Sequence, residues 1–269
     1  MIRGIVMDNF VDERDFKLLE DDKYTFFVLR RIMGGETKIL ETDHERLIMC
    51  FTGLPYPIWI WTADDATEDE LERAYQLAGD KGVLDGKHRF NLKYKLAEYF
   101  IKRAEQDGKK LEIKTNMFAY DNLAPVEPTG KCDGALHQCD LSDVDELVEM
   151  MDLFHHDIDG DYESLEEYRK NALYGIENGL YYFWQNESGR NVACCVYRPT
   201  GDMASLGCVY TREDARRRHY AENLVYRVTK IASEAGFVPM LYTDADYVAS
   251  NACYEKIGYV LRGKLCTIG

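Results

Sequence analysis

Between Cys132 and Tyr168 the chain has no lysine and no arginine. The whole sequence is short of bases too, with 33 Lys and Arg against 48 Asp and Glu, a formal net charge of −15. Phosphate-backbone binding needs a basic face, so a duplex nucleic-acid partner is not expected. An acidic stretch can draw in a cationic molecule, and acids in first helical turns also complement the helix dipole. None of the eight cysteines forms a C-x-x-C pair. Most lie in apolar runs such as ACCVY and LGCVY, which suits reduced core thiols. Cys132, His137 and Cys139 give only three ligand candidates on a strand-like alternation, so no metal is expected. The opening MIRGIVMDNFVDERDF is broken by charges, and no window approaches the roughly 18 apolar residues of a membrane span. A cytoplasmic protein without membrane contact is the expectation. Neither G-x-x-x-x-G-K nor G-x-G-x-x-G occurs, which excludes the common nucleotide loops.

What is present is enough for a folded core: 46% hydrophobic residues and 12% aromatic over 269 residues. That length suits two domains or one large α/β domain. Helical patterns cover Glu13–Asp21 and Lys23–Met33. Strand-like runs follow at Thr37–Thr42, Leu47–Phe51 and Pro57–Trp61. Thr67 to Glu70 opens a helix with an acidic first turn, and a second helix spans Phe90 to Gln106 ahead of Gly108. LEIKTNMFAY reads as a strand. DNLAPVEPTGKCDG repeats at neither 2 nor 3.6 and holds two of the six prolines. It reads as a linker, so the boundary is set near Gly130, giving an N-terminal α+β domain over 1–130 and a second domain over 131–269.

The second domain alternates clearly. GALHQC is a short strand, and Ser142-x-x-Asp145 and Ser164-x-x-Glu167 start two helices. LYYFWQN, NVACCVYRP and ASLGCVYT are strands. Arg216–Glu234 is a helix, PMLYT a strand, Tyr247–Ile257 a helix closed by Gly258, and YVLRGKLCTI a last strand.

Two constellations carry chemistry. In TREDARRRHYAENLVYRV, three arginines stand where a strand turns directly into a helix. The helix end supplies about four unpaired N–H groups and about half a positive charge, so the junction suits a phosphate or pyrophosphate. In YTDADYVASNACYEKIGY, Tyr247, Ser250, Asn251 and Tyr254 are spaced i, i+3, i+4, i+7 and share one helix face.

Together these stretches resemble the GNAT (Gcn5-related) N-acetyltransferase superfamily, over about Cys132 to Gly269. VYTREDARRRHYA is similar to the family's pyrophosphate motif, an Arg or Gln followed by x-x-G-x-G/A, and SNACYEKIGY is similar to its C-terminal motif. The chain also resembles two-part bacterial members whose first half is a degenerate relative of the second, although residues 1–130 carry no motif of their own. The fold class implied is α/β: a C-terminal GNAT fold, with a mixed, mostly antiparallel sheet and a splayed central strand pair, plus an N-terminal α+β, GNAT-like domain. Three positions depart from the pattern. Arg217 and His219 stand where glycines often stand, and Tyr247 stands where the family often has Asn.

The resemblance implies acetyl-CoA as co-substrate, lying in a V between ASLGCVYT and PMLYT. Val209 and Thr211 would pair with the pantetheine arm, and Ser250 and Asn251 would contact the cofactor from the last helix. The amides of Arg216, Arg217, Arg218, His219, Tyr220 and Ala221 would hold the pyrophosphate. A primary amine would attack the thioester in a ternary complex. Tyr254, with a free pKa of about 10 against roughly 8.5 for a thiol, is the expected general acid. Asp244 is a candidate base, with Glu213, Asp214 and a water chain as alternatives. The acceptor is a small-molecule or peptide amine, and the acidic stretch favours a cationic one; homo-oligomerisation stays open. Two other readings compete. A non-catalytic acyl-CoA-binding sensor would keep the fold without the chemistry. An aminoacyl-transferase of paired domains needs a basic surface that the charge argues against.

Overall fold

The computed structural model describes residues 7–158 and 163–269, and the chain divides into two compact units. The first runs to Ala119 and takes in Thr243–Asp246 and Arg262–Gly269; the second is Tyr120–Tyr242 with Tyr247–Leu261. This division falls ahead of Gly130, where the sequence suggests a linker. The reason is hydrogen bonding. Asn122 donates its N–H to the Pro239 carbonyl at 3.0 Å, and Val126 donates to the Ile257 carbonyl at 3.0 Å. The Asn122 amide adds a 2.9 Å bond to the same Ile257 oxygen. The proline-containing stretch is a strap bonded to the second unit.

In chain order the elements up to Asp121 are α1 (Glu13–Leu18), α2 (Phe27–Ile32), β1 (Ile39–Thr42), β2 (Leu47–Phe51), β3 (Ile58–Thr62), α3 (Glu68–Asp80), β4 (Phe90–Leu92), α4 (Tyr94–Gln106) and β5 (Ile113–Asp121). Then come β6 (Ala135–Gln138), α5 (Val144–Asp157), α6 (Leu165–Glu177), β7 (Tyr181–Gln185), β8 (Asn191–Thr200), β9 (Met203–Thr211), α7 (Tyr220–Glu234), β10 (Val238–Asp244), α8 (Val248–Lys256) and β11 (Val260–Ile268).

The first unit is a mixed α/β layer with strand order β1-β2-β3-β4-β11-β5. Asp12 caps α1 and exchanges bonds with Asp15; Thr67 caps α3 in the same reciprocal way with Glu70. Such boxes satisfy N–H groups that the helix leaves unpaired. Under α3 and α4 the core gathers Leu71, Ala74, Phe90, Leu96, Phe100 and Ile268, all nearly or fully buried. The expected helix over Phe90–Gln106 is corrected here. Phe90–Leu92 is a short strand paired parallel to β3 and antiparallel to β11, and the helix starts only at Tyr94. Three residues are too few to show a period of two in sequence.

The second unit orders its strands β10-β9-β8-β7-β6, antiparallel except for the parallel pair β9–β10. Tyr181, Phe183, Cys194, Val196, Cys208 and Tyr210 share a core with α5 and α6. Successive strand residues point to opposite faces, and α7 packs against β7, β8 and β9. The side-chain cap expected from Ser142 is made by Asp140 instead: it takes the Ser142 N–H at the head of a short 3-10 turn, Leu141–Asp143, that leads into α5. Ser164 caps α6 as the spacing predicts, accepting from Glu167 N–H at 3.2 Å. Among the described residues no helix is long and apolar enough to cross a membrane.

Candidate active site at the splayed strand pair

β9 and β10 hold together only at their starts. Val238, Pro239 and Met240 pair with Met203, Ala204 and Ser205, and no ladder pair joins the strands beyond that point. A parallel pair that stops pairing leaves backbone N–H and C=O groups on each strand for another chain-like molecule. Val209 and Thr211 lie in the unpaired half of β9. The Thr211 hydroxyl is buried without a hydrogen-bond partner among the described residues. β9 is also irregular here. Its register to β8 shifts between Cys194 and Val196, and Cys208 adopts φ 48°. A bulge of this kind turns successive backbone groups toward the open side of a strand.

The chain leaves β9 at Thr211 and enters α7 only at Tyr220, not at Arg216 as expected from sequence. The delay has a backbone cause. Arg217 and His219 take φ 63° and 64°, in the left-handed region, where a helix cannot continue. For a residue with a Cβ this conformation costs about 1–2 kcal/mol. These are the two positions at which glycine would suit the motif, so the loop keeps the shape that glycine would give it. No N–H from Arg217 to Glu222 has an acceptor among the described residues, and His219 caps α7 with no side-chain bond. Several donors and the positive end of a four-turn helix therefore converge on one spot.

The arginine side chains do not converge there. Arg216 turns back over Tyr210, its guanidinium 5.7 Å from the ring. It donates to the Thr211 carbonyl at 3.1 Å and pairs with Asp157 at the end of α5. Arg218 lies by the Tyr220 hydroxyl, and that hydroxyl donates to Asp133. Arg217 is exposed. Tyr220 is buried and Ala221 half-buried at the start of α7.

α8 places the remaining second-unit residues. Asn251 and Tyr254 are its buried residues, Ser250 is half-buried, and Tyr247 stands exposed just before the helix. Burial pushes the Tyr254 phenol well above its ordinary value, and a bond with Ser250 partly offsets this. Its ring meets Tyr259 edge-on at 5.8 Å, and the Tyr259 hydroxyl lies 2.8 Å from Thr229 Oγ1 on α7. Glu255, next along the helix, accepts from the Tyr120 hydroxyl at 3.1 Å. Asp244, the sequence candidate for a base, belongs to the first unit, and its carboxylate accepts the Asp246 N–H at 2.9 Å. It is not brought together with Tyr254 inside one unit. Glu213 and Asp214 form a short turn after β9, where Asp214 pairs with Arg190.

The acids of α5, unmatched by bases in their own stretch, meet bases from elsewhere in the unit. Asp145 pairs with Arg169, Glu146 and Glu149 with Arg212, and Asp157 with Arg216. Residues 159–162 of the acidic stretch lie outside the described residues. Among the described residues neither Cys132 nor Cys139 belongs to a ligand group, and His137 Nε2 is 2.7 Å from Asp143. Among the described residues the group with metal-ligand spacing is Asp12, Asp15 and His44. Its oxygens are engaged: Asp15 accepts from Thr42 at 2.6 Å and from Asp12 N–H at 2.9 Å and lies 2.7 Å from His44 Nδ1, while Arg14 grips Asp12. This knot ties α1 to β1.

Residues 147–259 match the Acetyltransferase (GNAT) family. A comparison with the curated proteins found no match. The fold recurs across the whole length in solved structures. A GCN5-related N-acetyltransferase from Sphaerobacter thermophilus superposes with TM-score 0.68 at 14% identity, covering 98% of this chain and 94% of that one. One from Kribbella flavida gives 0.60 at 12%, covering 93% and 94%. A GNAT-family acetyltransferase from Colwellia psychrerythraea gives 0.59 at 10%, covering 98% of each. At these identities the likeness is one of fold.

Proposed function

We propose that the GNAT domain at residues 147–259 makes this protein an N-acetyltransferase that moves the acetyl group of acetyl-CoA to a primary amine. The observation that carries the reading is the junction after β9. A parallel strand pair opens, and the loop beyond it presents a row of unpaired N–H groups through left-handed Arg217 and His219. That geometry suits an extended pantetheine arm followed by a diphosphate.

In this reading the arm pairs with Val209 and Thr211, and Ser250 and Asn251 flank it from α8. The amides of residues 217–221 bind the diphosphate, while that of Arg216, expected to join them, is held by the Glu213 carbonyl at 3.3 Å. The acceptor amine attacks the thioester carbonyl directly, and a backbone amide at the β9 bulge stabilises the oxyanion. As the C–S bond breaks, the former amine nitrogen releases its extra proton to solvent water and Tyr254 gives its own proton to the departing thiolate. A cationic acceptor suits the acidic sequence of 132–168. The ion pairs along α5 weaken that field, so preference among amines is expected to come from contacts rather than from net charge.

Calorimetric titration with acetyl-CoA, followed by thiol release with a panel of primary amines, tests this. Binding together with amine-dependent thiol release is the expected result. Binding with no release for any amine would leave a sensor; no binding at all would remove the reading. Turnover of polyamines no faster than of neutral amino acids would remove the cationic preference alone.

A further inference from the structure

We propose that Gly130 in the strap and the His219 imidazole form a positioning pair that holds the loop 216–219 in its diphosphate-binding shape. The inference rests on the reading of that loop as the coenzyme site. A glycine at 219 would reach φ 64° without a steric cost, but a histidine must be held there. The hold comes from residues about ninety positions earlier. Gly130 is not in the left-handed region, so its own backbone does not call for glycine. What calls for it is the ring. A Cβ at 130 would lie 2.6 Å from both Cγ and Cε1 of His219 and closer still to Nδ1. The imidazole therefore lies flat against the strap.

Four further bonds fix the arrangement. The Asn223 amide donates to the Gly130 carbonyl and to the His219 carbonyl, both at 2.9 Å, pinning the strap and the first turn of α7 together. His219 Nδ1 lies 3.2 Å from Glu222 Oε2, so the ring is also tied to that turn. Tyr220, the next residue, bonds Asp133 at the far end of the strap. The strap supplies externally the conformational hold that glycine at 219 would make unnecessary.

The test is calorimetric titration of acetyl-CoA into the full chain and into Gly130→Ala, His219→Ala, His219→Gly and the double variant Gly130→Ala/His219→Gly. Folding of each is checked by circular dichroism. The parent comes first. If it does not bind, the coenzyme reading falls; if it binds, the variants judge the pair alone. Gly130→Ala and His219→Ala are expected to weaken binding about five- to tenfold, with the change in KM for acetyl-CoA rather than in kcat. His219→Gly should bind more tightly than His219→Ala, and the double variant more tightly than Gly130→Ala. Parental affinity in Gly130→Ala would overturn the proposal, as would a double variant no better than Gly130→Ala. Should Gly130→Ala fail to fold, the order of His219→Ala and His219→Gly decides, and equal affinities would overturn it.

Discussion

Burial governs the acid–base behaviour of Tyr254. Removing water from the phenol disfavours its ionised form, so the group stays protonated through pH 10 and beyond. In the proposed role of general acid it would therefore be loaded at every working pH. The Tyr254→Phe variant should lose about 10²–10⁴-fold in kcat while keeping its affinity for acetyl-CoA. The wild-type rate profile should show no falling limb from this tyrosine below about pH 10; an alkaline limb near pH 9 that vanishes in the variant would contradict the assignment. The cysteines follow the same physics. Desolvation raises Cys50, Cys253 and Cys266 to about 12. Because the reactive species is the thiolate, these three should react with a thiol reagent at neutral pH only after denaturant is added. Raised thiol values also fix a sign. Above about pH 9 unfolded thiols lose protons that folded ones keep, so stability should fall as pH rises through that range, as denaturant titrations at pH 8 and 10 would register. At this scale the sequence was informative where the apolar setting of a side chain decides its state, as with the buried thiols. It marked Arg217 and His219 as standing at glycine positions, but not the left-handed backbone angles they adopt, which neither residue type prefers.

Among the elements, those with local signals are the ones legible beforehand. β2 spans Leu47–Phe51 as expected, since five apolar residues between turns leave little alternative. α3 begins after Thr67 because the threonine and Glu70 exchange bonds across the first turn. Thr67→Ala should cost about 1 kcal/mol, measurable as a shift in the urea midpoint. Glu70 is held down to about 2 by the Arg46 guanidinium and by its bonds to Thr67. A lowered carboxyl stabilises the fold above its ordinary value of 4.5 and loses that contribution as pH falls toward 2, so acid should destabilise α3 through this residue. The misjudged elements depend on partners distant in sequence. β4 exists because β3 and β11 flank it, and the first turn of α7 is bonded through Asn223 and Tyr220 to the strap.

At the level of the whole molecule, length allows two domains or one large one and the stretch before Gly130 reads as a boundary, but neither tells how the chain is shared between two units. The first unit is completed by Arg262–Gly269. There Cys266, Thr267 and Ile268 pair with Leu92, Asn91 and Phe90, and Gly269 exchanges two backbone bonds with Glu112. Leu265 and Ile268 are fully buried. Each such side chain contributes about 1.5–3 kcal/mol, a large part of the 5–15 kcal/mol that holds a typical domain together. Deleting residues 262–269 should therefore unfold the first unit, seen as loss of cooperative melting and sensitivity to protease within residues 7–119. The second unit, which keeps its strand pair and loop, is the part in which acetyl-CoA binding is to be sought after such a deletion.

The late arrival of that closing strand has a bearing on biosynthesis. A ribosome finishes residues 7–119 long before it reaches Arg262, so the first unit waits with a gap between β4 and β5 while the second is made. Nascent chains stalled before residue 262 should remain protease-sensitive in their N-terminal part, however long the pause.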